Sequence, residues 1–292
     1  MTNNHWLNKS EYPFESKYAQ ITSGKIHYID EGTGETILFV HGTPSWSFVY
    51  RNAIKELKKS HRCVALDHLG FGLSEKPQDF SYKPEDHAKN LTEFIDQLKL
   101  KNITLLVHDI GGPVGLSYAV NHPENVKRIV VMNSWLWSLK DDKNIVLASK
   151  LFSSWLGRFL YLRYNFSPKV LLKKGFYDKS KLTKEIHKHY LMVFPDPESR
   201  MSLWTIVKEL LGSSDWFDSL WQKKSAIQDI PALILWGMRD TLISSDKLDK
   251  WKELFSNPEV VELTDSGHFV QEECPEELVK RIAISQSKTP GY

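Results

Sequence analysis

The chain is 292 residues long, 41% hydrophobic and 25% charged, an ordinary balance for a globular protein able to bury one large core or two modest ones. Its 38 lysine and arginine residues against 36 acidic ones leave a formal charge of +2, which gives no reason to expect a nucleic-acid or acidic-membrane partner. Cys63 and Cys274 form neither a disulfide framework nor a metal-ligand spacing, so they read as buried free thiols, and no metal or cofactor is implied.

The opening M-T-N-N-H-W-L-N-K-S has no apolar stretch with a small-residue cleavage site, and no apolar run approaches the roughly 18 residues that a membrane helix needs. The expectation is a cytoplasmic protein with no membrane contact. In A-Q-I-T-S-G-K-I-H-Y-I-D, apolar residues alternate on either side of Ser23-Gly24, which predicts an antiparallel hairpin at a sheet edge. Apolar runs follow at Thr36–Val40, Arg62–Asp67, Ile103–Val107, Arg128–Met132, Ala232–Trp236 and Val260–Leu263. They are rich in Val, Ile and Leu without alternation, as strands buried on both faces of a parallel sheet are. Between them, Pro84–Leu100 sets Leu91, Phe94, Ile95 and Leu98 on one stripe at helical spacing, with Pro84 suited to the first turn. Strand and helix alternate, so the fold class is α/β with a mostly parallel sheet.

The alternation stops between residues 134 and 221, where helical patterns such as L-F-S-S-W-L-G-R-F-L-Y-L replace strands. The chain therefore divides into a core over 1–133 and 222–292 and a helical insertion over 134–221, expected to form a lid over the end of the sheet where strands terminate.

Candidate chemistry collects at those strand ends. Val107-His108-Asp109-Ile110-Gly111-Gly112 follows a buried strand and leads into a helix, the context of a strand-turn-helix elbow that pushes a nucleophile outward. Asp109 occupies the nucleophile position, and Ser117, two turns into the helix, is a poor rival. A carboxylate is already an anion and can attack a saturated carbon directly, leaving a covalent ester. Hydrolysis of that ester needs a base, which a histidine oriented by a second carboxylate provides. Asp240 follows the run Ala232–Trp236, and His268 follows Val260–Leu263, in the order nucleophile, acid, histidine. After the first run, His41-Gly42-Thr43-Pro44 offers the backbone N–H of Thr43, which with that of Ile110 would hold the oxyanion formed during hydrolysis.

Six segments carry a resemblance: H-G-T-P-S-W-S-F-V-Y-R at 41–51, D-H-L-G-F-G-L-S at 67–74, V-H-D-I-G-G-P at 107–113, M-N-S-W at 132–135, W-G-M-R-D at 236–240 and S-G-H-F-V-Q-E-E at 266–273. With them the chain resembles the haloalkane dehalogenases of the α/β-hydrolase superfamily. The resemblance implies an α/β-hydrolase fold with a helical lid, Asp109 as nucleophile, His268 as base, Asp240 as acid, and a small apolar organic substrate with water as co-substrate. Asn133 stands where another branch of the family carries its carboxylate, which favours Asp240 as the acid. One position departs from the pattern: the family usually has a halide-binding tryptophan directly after the nucleophile, and this chain has Ile110. Trp135, Trp137 and Trp155 are the candidates to replace it, with Asn133 a further polar candidate. Three other functions stand beside dehalogenation: epoxide hydrolysis, which would use lid tyrosines among Tyr161, Tyr164, Tyr177 and Tyr190; cleavage of a β-lactone; and ligand binding without turnover.

Overall fold

The computed structural model describes residues 5–286. Eight strands form one sheet: β1 (Lys17–Ile21), β2 (Gly24–Glu31), β3 (Thr36–Val40), β4 (Arg62–Leu66), β5 (Ile103–Asp109), β6 (Val126–Ser134), β7 (Ala232–Gly237) and β8 (Glu259–Leu263). Their spatial order is β1-β2-β4-β3-β5-β6-β7-β8. β1 and β2 pair antiparallel, as do β2 and β4, while every pair from β4 to β8 is parallel. The hairpin lies at the sheet edge, and the expected strands all form.

The strands β5 to β8 run further than their apolar stretches, β5 and β6 furthest. β5 continues through Asp109 because His108 pairs with Met132 and Asp109 with Ser134, across a register irregularity. β6 likewise ends at Ser134, one residue inside the stretch assigned from sequence to the helical insertion.

The helices are α1 (Arg51–Leu57), α2 (Pro84–Gln97), α3 (Gly111–Asn121), α4 (Lys143–Ser153), α5 (Trp155–Tyr164), α6 (Leu172–Gly175), α7 (Lys184–Met192), α8 (Met201–Gly212), α9 (Ser214–Gln222), α10 (Lys247–Leu254), α11 (Val270–Glu273) and α12 (Pro275–Gln286). In α2, Leu91, Phe94 and Ile95 are buried as the spacing predicts, and Pro84 sits in the first turn. α4 to α9 occupy the stretch between β6 and β7 without a strand. No single helix among the described residues is long and apolar enough to cross a membrane. Cys63 is buried and Cys274 only half-buried, because Cys274 ends α11 at the surface instead of continuing a strand.

Small residues let the strand ends converge. A Cβ on Gly237, the last residue of β7, would fall 1.8 Å from the Gly267 carbonyl oxygen, next to His268. A backbone atom cannot rotate aside as a side chain can. Gly237→Ala is therefore expected to destabilise the fold by about 1–3 kcal/mol, the usual range for overpacking, measured by urea unfolding. An unchanged midpoint would show that the 266–268 loop gives way freely.

Candidate active site

Asp109 ends β5 with a φ of 53°, the left-handed region that costs a non-glycine residue about 1–3 kcal/mol. Its surroundings hold it there. Ser134 Oγ donates to the Asp109 carbonyl at 2.6 Å, and the Thr43 N–H donates to Oδ1 at 2.8 Å. The Ile110 N–H also hydrogen-bonds the carboxylate. Glycines make this close approach possible: a Cβ on Gly42 would meet Asp109 Cβ at 2.3 Å, and one on Gly111 would meet the Val40 carbonyl oxygen at 2.4 Å. The elbow thus turns the carboxylate away from the sheet and surrounds it with N–H donors.

His268 lies on the loop between β8 and α11. Its Nε2 is 3.5 Å from Asp109 Oδ2, longer than an ordinary hydrogen bond but within ion-pair range, and its Nδ1 is 2.8 Å from Asp240 Oδ2. Asp240 is saturated with donors. Oδ1 accepts from the Leu242 and Ile243 N–H groups at 2.7 and 3.0 Å, and Oδ2 accepts from Asn133 Nδ2 at 2.8 Å. Asn133 also takes the Gly237 N–H on its Oδ1. It is fully buried and does not line the cavity described below, so its place is behind Asp240 and not against a ligand.

The electrostatics follow from that geometry. Burial pushes His268 toward its neutral form, but the Asp240 and Asp109 carboxylates on either side prevail and raise its pKa to about 10. Burial would raise Asp109, yet the charged His268 imidazole beside it, with the Ile110 N–H, brings it below the ordinary carboxylate range. The resting site is a cation between two anions. His108, adjacent to Asp109, is pushed by burial and by the charge of His268 down to about 3. It is neutral, and its Nε2 lies 2.8 Å from the His268 carbonyl oxygen while Gln271 Nε2 approaches its Nδ1 at 3.2 Å. The structure adds His108, Gln271 and Ser134 to the residues that shape the site. All three lie inside the quoted segments, but nothing in their spacing marks a contact across the sheet.

Asp109, Thr43, Pro44 and Trp135 form the floor of a cavity of about 630 Å³ whose walls are mostly apolar side chains of α4, α5 and α8, among them Ile145, Phe152, Leu203 and Ile206. Trp135 Nε1 and Thr43 Oγ1 are buried without a hydrogen-bond partner. The other two tryptophans lie elsewhere. Trp137 packs between Trp221 and Trp251, with ring centroids 5.3 Å from each, and Trp155 is 79% exposed because it opens α5 on its outer side. Of the four tyrosines considered, only Tyr161 lines the cavity. Tyr190 is turned onto Glu272, and Tyr164 and Tyr177 are exposed.

A profile of the alpha/beta hydrolase fold family matches residues 35–275. Among curated relatives, haloalkane dehalogenase 2 of Mycobacterium tuberculosis is 34% identical over 273 residues, covering 93% of this chain and 94% of that protein. Cis-3-alkyl-4-alkyloxetan-2-one decarboxylase of Shewanella oneidensis is 34% identical over 286 residues, covering 95% of this chain and 90% of that protein. The crystal structure of haloalkane dehalogenase DatA from Agrobacterium tumefaciens superposes with a TM-score of 0.84 at 24% identity, covering 94% of this chain and 96% of that one, a likeness of fold.

A folded-state pKa near 10 for His268, against about 6.5 when unfolded, ties stability to pH. The contribution is complete below pH about 6.5 and is lost as pH rises through about 10. Asp240→Asn removes the stronger of the two raising charges. The imidazole titration of His268, followed by NMR, should move down from about 10, and the fall in thermal midpoint between neutral and alkaline pH should become shallower. An unmoved titration would assign the shift to Asp109 alone.

Proposed function

Because the chain belongs to the haloalkane dehalogenase family of α/β hydrolases, and is thus an enzyme, we propose that it cleaves apolar organic substrates through a covalent ester on Asp109, with hydrolytic dehalogenation as its reaction. The observation that carries this reading is the Asp109 carboxylate on the floor of an apolar cavity, with two backbone N–H donors on one side and His268 on the other.

In the first step, a carboxylate oxygen of Asp109 forms a bond to the carbon bearing the halogen, and the carbon–halogen bond breaks with its electron pair leaving as halide. No proton is removed, so a protonated His268 does not impede the attack. Alkylation neutralises Asp109 and so takes away one of the two charges that raise the His268 pKa. The histidine can then release its proton and become a base. It takes a proton from water as the oxygen attacks the ester carbonyl, while the Thr43 and Ile110 N–H groups face the developing oxyanion. Collapse expels the alkoxide, which His268 reprotonates to the alcohol, and the regenerated Asp109 acid gives its proton to His268, restoring the imidazolium; the one net proton is the one His268 released to solvent before hydrolysis. Asp240, held by Asn133 and two backbone N–H groups, stabilises the imidazolium throughout.

The departing anion needs donors in a cavity with few polar groups. Trp135 Nε1 and Thr43 Oγ1 supply the reading's answer to the missing tryptophan at Ile110, since both are buried, unpartnered and on the same cavity wall as Asp109. The helical stretch from α4 to α9 acts as the lid. Epoxide hydrolysis fits less well, because one tyrosine alone reaches the cavity.

A second reading, opening of a dialkyl β-lactone, is favoured by the cavity's size. At about 630 Å³ it suits a ligand of many heavy atoms better than a short-chain halide. The same aspartate would attack the saturated ring carbon, with a carboxylate as leaving group. One of the 34% identical relatives is named for an oxetanone decarboxylase.

Two experiments test these roles. His268→Gln incubated with a long-chain bromoalkane should release one equivalent of bromide and gain the mass of the alkyl group on the peptide carrying Asp109. An adduct on any other residue would overturn the mechanism. Trp135→Phe keeps the ring that packs edge-on against Phe217 but deletes the N–H. It should lower kcat/KM for bromoalkanes by roughly 10–150-fold, the range for a lost hydrogen bond to a charge, with no change in halide affinity counting against the donor role.

A further inference from the structure

We propose that the outer face of α4, α5 and the segment leading to α6 docks the protein onto an anionic lipid bilayer, with the cavity mouth against the lipid. The near-neutral total charge conceals a sharp asymmetry. Residues 143–177 carry seven lysines and arginines and no aspartate or glutamate, so the rest of the chain is net negative. None of those seven cations makes an ion pair among the described residues.

The same segment is apolar on its exposed side. Of ten large apolar side chains exposed among the described residues, eight lie between Leu147 and Tyr177. Their spacing is helical: Lys143, Leu147, Lys150 and Leu151 form one stripe of α4, while Ile145, Ala148 and Phe152 turn inward to the cavity. α5 repeats the pattern with Trp155, Arg158 and Phe159 exposed. Trp155 is 79% exposed and Leu147 70%, far more than a core or a solvated polar face requires. α4 and α5 are bent by 77° to one another, so they do not cross a bilayer as one rod, and their outer sides present apolar and basic side chains together.

Apolar side chains interleaved with unpaired Lys and Arg are the chemistry of interfacial helices on anionic lipid. A second copy of this chain would bring like charges together on the shared face, which disfavours self-association there. Val170 and Lys174 both line the cavity and are exposed, so the cavity opens within the docking face. An apolar substrate dissolved in the bilayer would then enter without crossing water. The docking itself does not depend on the reaction at Asp109.

The full chain should co-sediment with vesicles of phosphatidylcholine mixed with phosphatidylglycerol at least about tenfold more tightly than with phosphatidylcholine alone, and lose that preference at high salt. Lys150→Glu combined with Lys169→Glu should weaken anionic-vesicle binding by about tenfold or more, and Trp155→Ser should weaken it severalfold. These positions are exposed, so thermal midpoints should match the parent. Equal binding to both vesicle types, or no binding to either, would overturn the proposal. So would a dimer in sedimentation velocity that Trp155→Ser abolishes, because a second copy would then cover the face.

Discussion

The buried imidazolium of His268, held between the carboxylates of Asp109 and Asp240, is the interaction to which the rest of the structure is fitted. Three ionisable groups taken from water cost several kcal/mol each unless their charges and hydrogen bonds are met. Here the charges alternate in sign along the line Asp109, His268, Asp240, and the remaining carboxylate lone pairs face N–H donors from Thr43, Asn133, Leu242 and Ile243. Five separate strand ends, those of β3, β5, β6, β7 and β8, contribute to this one arrangement. The sheet's parallel order brings them together, and the glycines at 42, 111 and 237 let them approach.

The histidine loop is also where the helical stretch is fastened to the sheet. The His268 N–H donates to the Gly175 carbonyl at 2.7 Å, and Glu273 accepts from the N–H groups of Gly267, Tyr177 and Asp178. Deeper in, Glu272 pairs with the buried Arg51 of α1 and accepts from Tyr190 of α7. Burial works against the Arg51 cation, and Glu272 keeps it charged. Two adjacent glutamates of α11 thus hold opposite sides of the molecule. A movement of α6 relative to the sheet would be transmitted directly to His268, since Gly175 accepts its N–H and Glu273 accepts that of the neighbouring Gly267.

Much of this was legible from sequence, and the reasons differ by element. The parallel strands could be read because burial on both faces demands uninterrupted Val, Ile and Leu, and the elbow because a strand closing on His-Asp before two glycines has few other uses. What lay beyond reach were properties of the third dimension. Helical spacing separates the two faces of α5 but does not say which faces the cavity, so Trp155 and Trp135 looked equivalent although one is exposed and the other has its N–H enclosed. Asn133 was a polar residue at a strand end, and only the pairing of β6 with β7 shows it behind Asp240. Nothing local in S-G-H-F-V-Q-E-E marks Glu272 and Glu273 as buried, yet both are. Cross-sheet partners leave no trace in local periodicity.

The two faces of α4 put opposite demands on eleven residues. Inward, Ile145, Ala148 and Phe152 must exclude water so that the charges around Asp109 act at full strength. Outward, Lys143 and Lys150 keep the chain soluble while Leu147 and Leu151 remain uncovered. Asp142 reconciles them at the helix start. It caps α4 by accepting from the Asn144 and Ile145 N–H groups and pairs at 2.8 Å with Lys247 of α10 on the sheet side, so the acid directly before the basic stretch is spent on anchorage. The seven cations of the outer face make no ion pair among the described residues, while the inner face is tied to the same sheet that holds Asp109, Asp240 and His268.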